Sequence, residues 1–146
     1  GLNITLPVFR RLSSGLVIRK RDEADNADRQ IRDLRIKTPS RRVLVSAMSG
    51  GNQQKIVIGK WLSHGAKLFI FDEPTVGVDV GTKAEIYRLF GELLKQGAGI
   101  ILISSYLPEV YELSDRLHVF RRGRLVASHD HRAATHEDVL TQAIGI

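Results

Sequence analysis

The sequence predicts an α/β fold built on a parallel sheet. Two nearly continuous apolar runs, residues 67–71 (KLFIF) and 99–104 (GIILIS), have the length and composition of buried strands. An apolar helix face lies between them and is formed by Ile86, Leu89, Phe90, Leu93 and Leu94. A strand, a helix and a second strand in this order form a βαβ unit, whose strands are parallel and are expected to have helices on both faces.

Further elements flank this unit. An amphipathic stripe begins near Lys20 and predicts a helix that stops at residues 38–40 (TPS), because proline is excluded from a helix interior. A glycine-rich turn at residues 49–51 opens a second helix, for which Gly65 is the expected end. Trp61 lies on the apolar face of this helix and is expected to anchor the core rather than to stack on a base.

The C-terminal part predicts three more elements. A short helix follows Pro108, and residues 118–120 and 125–127 read as two strands of a hairpin split by an arginine-rich turn. Thr135, with Asp138 three residues later, has the pattern of a capping box and predicts a terminal helix.

Charge is unevenly distributed along the 146 residues. The net charge is +6, and all of the basic excess lies in residues 1–42, whereas residues 43–146 hold equal numbers of basic and acidic side chains. The absence of cysteine excludes disulfide scaffolds and thiolate zinc sites and fits a reducing compartment. No apolar run reaches the roughly 18–20 residues needed to cross a bilayer.

Polar residues follow both predicted strands. Asp72 and Glu73 end the first, and Ser104 and Ser105 end the second, so the side chains are expected at the sheet edge where α/β proteins bind ligands. One carboxylate of such a pair can hold Mg²⁺ while its neighbour orients or deprotonates a water molecule. The alternative is that Asp72 caps a turn and Glu73 is only solvated.

The turn at Ser49, Gly50 and Gly51 indicates an anion site, with phosphate as the natural ligand. Two glycines allow close approach of backbone N–H groups to an anion, and the following helix directs its positive end the same way. The alternative is a flexible turn in which Ser49 is an N-cap.

The order of four segments carries a family resemblance. MSGGNQQK, LFIFDEP, TVGVDVGTK and IILISS resemble the signature motif, Walker B motif, D-loop and switch region of ABC transporter ATP-binding subunits. The runs SGGNQQK and DEPTVGVDVGTKAEIY are similar to the C-terminal half of the tandem subunits of bacterial simple-sugar importers, the ribose, galactose and xylose group. The resemblance implies a partial P-loop NTPase domain, with residues 1–46 in a helical subdomain and residues 47–146 carrying the four motifs.

The resemblance also implies a role for each motif residue. Glu73 matches the catalytic acid that activates water, Asp72 the aspartate that positions Mg²⁺, and Asp79 the D-loop aspartate that communicates across an interface. In this family the signature closes over ATP held by the other nucleotide-binding half, in a head-to-tail arrangement. The residues implied to touch that ATP are Ser49, Gly50, Gly51, Asn52 and Gln53.

Two departures from the family pattern alter these expectations. The Walker A motif is absent, because Gly59-Lys60 is followed by Trp61 and Gln54 stands where the first glycine is required. We therefore expect a truncated domain that is inactive alone. The family's switch histidine aligns with Ser105, which implies that the two ATP sites of the intact protein differ in hydrolysis.

Partners and location follow from the resemblance as well. It implies an ATPase at the cytoplasmic face of the membrane, bound to permease subunits and serving a periplasmic sugar-binding protein indirectly. Two alternatives are a soluble ABC-type ATPase and a nucleic-acid-binding module that uses the basic residues 1–42. Five acidic residues interleave with those bases, so a nucleic-acid partner is not expected.

Overall fold

The computed structural model describes residues 2–8, 13–14, 17–62, 65–131 and 133–145. The chain separates into two compact units, of which the first comprises Gly1–Phe69 with Thr75–Gly99 and the second Ile70–Pro74 with Ile100–Ile146. Phe9, Arg10 and Arg11 of the basic segment lie outside the described residues.

The elements run in the following order. The first ones are α1 (Leu2–Thr5), a 3-10 turn (Leu6–Val8), β1 (Ser13–Ser14), β2 (Val17–Ile18), α2 (Lys20–Asp33), a 3-10 turn (Val45–Ala47) and α3 (Gly50–Leu62). They are followed by β3 (Leu68–Asp72), α4 (Val80–Lys95), β4 (Gly99–Ile103), α5 (Leu107–Leu113), β5 (Arg116–Arg121), β6 (Arg124–Asp130) and α6 (His136–Ile144).

Helix α2 ends earlier than the sequence predicts. It stops at Asp33 rather than at residues 38–40, so the predicted stop is wrong. The Arg35 N–H donates to the Arg32 carbonyl and the Ile36 N–H to the Ile31 carbonyl, at 3.1 and 2.9 Å, which is the bonding pattern of a Schellman motif. Arg35 takes the left-handed position with φ of 50°. Glycine usually marks this position, so an arginine there gives no sequence signal.

The core of the first unit lies between its helices. Its buried members are Ile4, Ala27, Leu34, Ile36 and Ile56. Ile86 of α4 is also fully buried. By contrast Trp61 is 53% exposed, so its interpretation as a core anchor is wrong: the buried residues of α3 are Gly51, Lys55, Ile56, Ile58 and Gly59.

The predicted βαβ unit is confirmed. β3 and β4 are neighbours in a two-stranded sheet. The Gly99 N–H donates to the Lys67 carbonyl and the Glu73 N–H to the Ile103 carbonyl, at 2.7 and 2.8 Å, so the strands run parallel. One expectation fails, because helices do not cover both faces of these strands. In the second unit the side chains of Ile70, Ile101 and Ile103 are 64%, 46% and 49% exposed.

The hairpin and the terminal helix are confirmed in the second unit. β5 and β6 pair antiparallel, with Leu117 opposite His129. Thr135 caps α6 and forms a capping box with Asp138. The core of this unit consists of Leu117, Val119, Ala134 and Val139. Among the described residues no helix is both long and apolar enough to cross a membrane.

Candidate functional site

The end of β3 places two acidic residues side by side. Asp72 is its last residue and is exposed, and Glu73 follows with a left-handed backbone, φ 48°. The Glu73 N–H donates to the Ile103 carbonyl, and the Glu73 Oε1 accepts a hydrogen bond of 2.8 Å from the Ser105 N–H. The end of β4 therefore holds Glu73 through both its backbone and its carboxylate.

Ser105 makes this contact with its backbone rather than with its hydroxyl. The neighbouring Ser104 uses its side chain in the same turn: its Oγ donates to the Glu109 Oε2 at 2.9 Å and accepts from the Tyr106 N–H at 3.1 Å. Glu109 is only 2% exposed. The sequence placed Ser104 at this edge of the sheet as predicted, whereas Glu109 was missed as a member of the site. A glutamate at the third position of a helix was the available signal.

The first turn of α3 is organised by side chains of the signature motif. The Asn52 Nδ2 donates to the Ser49 Oγ, and the Asn52 Oδ1 accepts from the Lys37 N–H, both at 2.9 Å. The Gln53 Nε2 donates to the Met48 carbonyl at 2.8 Å. First-turn amides have no partner within their own helix and lie at its positive end, so this turn favours an anion.

Both signature glycines lie against the D-loop segment of the same unit. A Cβ built on Gly51 would lie 2.5 Å from the Thr82 Oγ1, and one built on Gly50 would lie 3.3 Å from the Gly77 carbonyl oxygen. Real Cβ atoms are almost never found as close to a neighbour as the first of these distances. Close packing against Thr82 therefore requires glycine at position 51.

Asp79 is the N-cap of α4. Its Oδ1 accepts from the Thr82 N–H at 3.0 Å and its Oδ2 from the Thr82 Oγ1 at 2.7 Å. The Thr82 hydroxyl is the main cause that lowers the pKa of Asp79, and the Thr82 amide adds to it. Thr82 thus contacts both the signature and the D-loop aspartate, a role that the sequence analysis missed.

Lys55, the last residue of the signature motif, is buried in the first unit at 5% exposure. It forms an ion pair with Glu85 and donates to the Arg35 carbonyl at 3.1 Å. Its hydrogen bond to Glu85 is the main cause that lowers the pKa of that carboxyl. Glu85 is therefore held by a buried cation. Lys55 joins α3, α4 and the turn after α2.

Each unit thus brings together its own set of predicted residues. The second unit holds Asp72, Glu73 and Ser105, and the first holds residues 49–53 with Asp79. Among the described residues no group of three or more His, Cys, Asp or Glu side chains is placed to hold a metal ion. Asp72 alone still fits Mg²⁺, which takes one or two carboxylates and completes its shell with water and phosphate oxygens.

The family profile described as ABC transporter matches residues 4–76, half of the chain. The chain belongs to the ABC transporter family. This ABC chain is 46% identical over 145 residues to a Rhizobium etli protein named for ribose, galactose and methyl galactoside import. It is 46% identical to an arabinose import ATP-binding protein of Yersinia pestis and 43% identical to a xylose import ATP-binding protein of Geobacillus kaustophilus, over 143 residues each.

The matched region is nearly the whole of this chain but a small part of each relative. The alignments include 97–99% of the ABC chain but 27–28% of the length of these relatives. Among solved structures, a nucleotide-free ATP-binding cassette matches with a TM-score of 0.75 and 22% identity, over 99% of this chain and 58% of the other. A dimeric bacterial cassette matches with a TM-score of 0.73 and 16% identity, over 90% and 56%. The fold is that of a partial ABC-type P-loop NTPase domain.

Proposed function

We propose that the chain supplies the signature, Walker B, D-loop and switch parts of the ATP-hydrolysing subunit of a carbohydrate importer. The observation that carries this proposal is the hydrogen bond of Glu73 to the Ser105 amide, at the carboxyl ends of two parallel strands. The names of the relatives, which specify import of simple sugars, support the substrate class. Residues 1–46 form the helical subdomain segment in this proposal, and residues 47–146 the part with the motifs.

Glu73 is the general base. A carboxylate can accept about four hydrogen bonds, so Glu73 can accept the proton of an attacking water while its Oε1 is held by the Ser105 amide. Asp72, exposed at the end of β3, is the ligand for Mg²⁺. Bound Mg²⁺ would neutralise the charge that develops on the phosphate oxygens.

The signature residues act on ATP held by the other nucleotide-binding half. The first-turn amides at Gly50 and Gly51 suit the γ-phosphate, because they lie at the positive end of α3. Ser49, Asn52 and Gln53 line the same turn. They complete the surface that faces the phosphate and ribose in a head-to-tail arrangement.

Asp79 and Ser105 have roles that involve the other nucleotide-binding half. Asp79 caps α4 from an exposed position, which makes it available to the facing half. Ser105 presents its backbone to Glu73 and has no imidazole to contact the γ-phosphate. The site completed by this switch region hydrolyses ATP more slowly than the other one.

The intact subunit works on permease subunits at the cytoplasmic face of the membrane, with a periplasmic sugar-binding protein as an indirect partner. A nucleic acid is not proposed as a partner. Two arginines of the basic segment are paired with acids of that segment, Arg19 with Asp22 at 3.2 Å and Arg41 with Asp28 at 2.7 Å. Such pairing reduces the positive potential offered to a phosphate backbone.

The test measures ATP hydrolysis by the intact subunit assembled with its permease, with and without the sugar-loaded binding protein. We expect hydrolysis that the sugar-loaded protein stimulates. In an assembly whose other half has its own catalytic acid substituted, so that only this site turns over, Glu73→Gln should lower kcat at least about a hundredfold, because a general base contributes about 10²–10⁴-fold. Glu112→Gln, an exposed glutamate of α5, is the matched control. An assembly without ATPase activity, or equal activity of Glu73→Gln and Glu112→Gln, would refute the proposal.

A further inference from the structure

Glu109 is unusual because it is a buried acidic residue close to the proposed catalytic acid. It lies in the first turn of α5 and is 2% exposed. Acidic side chains are almost never this deeply buried unless another group compensates for the loss of water. The sequence motifs assign no role to this position.

The Glu109 carboxylate holds the turn that connects β4 to α5. Its Oε2 accepts from the Ser104 Oγ at 2.9 Å, and the same Oγ accepts from the Tyr106 N–H at 3.1 Å. Tyr106 is the N-cap of α5. In an ordinary capping box the third-position glutamate reaches the N-cap amide directly. Here the Ser104 hydroxyl bridges the two groups, so Ser104 is fixed from both sides.

Ser105 lies between the two residues that this network fixes. Its peptide N–H is the donor to the Glu73 Oε1 at 2.8 Å. A peptide plane cannot rotate freely when the residues on both sides of it are held. The direction of the Ser105 N–H therefore depends on the Ser104 hydroxyl, and the hydroxyl depends on Glu109.

We infer that Glu109 is a positioning residue that, through Ser104, aims the Ser105 amide at the carboxylate of Glu73. The inference rests on the proposed role of Glu73 as the general base. Glu109 touches no reacting atom itself. Its effect is to keep one Glu73 oxygen engaged, so that the carboxylate meets the attacking water in a single orientation.

The first arm of the test needs no ATPase activity. Amide hydrogen exchange of Ser105 is measured by NMR in the full chain and in four variants. We expect Glu109→Ala and Ser104→Ala each to speed the exchange about tenfold, as for the loss of one charge-assisted hydrogen bond. Glu109→Gln keeps an acceptor oxygen and should stay within about twofold of the native rate. Glu112→Ala on the same helix is the control and should not change it.

The second arm measures kcat and KM for ATP in the assembled importer whose other half has its own catalytic acid substituted, so that only the site containing Glu73 turns over. Glu109→Ala and Ser104→Ala should each lower kcat about tenfold with KM within about twofold, and the double variant should lose no more than either single variant. If Glu109→Ala fails to fold, Ser104→Ala carries both arms.

The two arms separate failure of this inference from failure of the proposed function. Unchanged Ser105 exchange in Ser104→Ala overturns the inference, as does unchanged kcat when exchange has increased. An unmodified assembly without ATPase activity refutes the proposed function on which the inference rests, while the exchange arm still reports whether Glu109 aims the amide.

Discussion

Removing either partner of the Lys55–Glu85 ion pair should destabilise the protein to different extents. Lys55 is 5% exposed, whereas the Glu85 side chain is 34% exposed. The Lys55 ammonium contacts both the Glu85 carboxylate and the Arg35 carbonyl. In Glu85→Ala the buried ammonium loses the first of these and keeps the hydrogen bond to the Arg35 carbonyl, at 3.1 Å. In Lys55→Met the remaining carboxylate can be hydrated from its exposed side. Glu85→Ala should therefore have the larger effect.

The structure sets the size of the effect. Leaving one charge of a buried pair unpaired costs about 3–5 kcal/mol. A cavity of about 80 Å³ lined by Lys55, Glu85 and Arg35 admits a few water molecules to the ammonium, which reduces the cost to about 2 kcal/mol. Lys55→Met should cost about 1 kcal/mol or less, because it removes the buried charge and keeps a similar volume.

Urea unfolding followed by circular dichroism measures both free energies of unfolding. Glu92→Ala, an exposed glutamate of the same helix, is the control and should change stability by less than about 0.5 kcal/mol. The pKa of Glu85 is lowered in the folded state, so its contribution is present above the ordinary glutamate pKa and is lost as the pH falls through the folded-state value. The native protein should approach Glu85→Ala in acid. A loss in Lys55→Met as large as in Glu85→Ala would refute this reasoning.

Four further outcomes are expected. Gly51→Ala should cost about 1–3 kcal/mol by overpacking against Thr82, and Thr82→Ala should recover most of it; equal losses in both backgrounds would contradict the contact. Asp138→Asn should speed amide exchange in the first turn of α6 at neutral pH but not in acid, because the Thr135 hydroxyl lowers the pKa of Asp138. Ile101→Thr with Ile103→Thr should weaken self-association in sedimentation velocity, because both side chains are exposed and apolar; a monomeric native chain at high concentration would contradict this. Calorimetry should find no stoichiometric binding of Mg²⁺-ATP to the chain alone, because it has no Walker A loop.

Local patterns predicted most of the secondary structure because their signals were strong. The apolar runs of β3 and β4, the periodic face of α4 and the capping box of α6 all depend on residues close in sequence. The end of α2 was missed because Arg35 occupies a left-handed position that usually requires glycine. Trp61 was misassigned because helical periodicity identifies an apolar face without showing what covers it.

The candidate site was predictable in its motif residues but not in its supporting contacts. Asp72 and Glu73 follow a strong strand signal, and the signature glycines open a helix. Glu109, Thr82 and the Lys55–Glu85 pair act through contacts between elements. A periodic pattern in sequence contains no information about which side chain of another element such a residue will meet.

The cap of α4 affects how a pull on Asp79 would be transmitted to the rest of the helix. Both carboxylate oxygens of Asp79 are bonded to Thr82, yet a carboxylate has lone pairs for about two more hydrogen bonds. A facing molecule could therefore bind Asp79 without uncapping the helix. The first turn of α4 would then move with Asp79 as one rigid piece, and the 16-residue helix would carry a pull at its N-terminus along its full length.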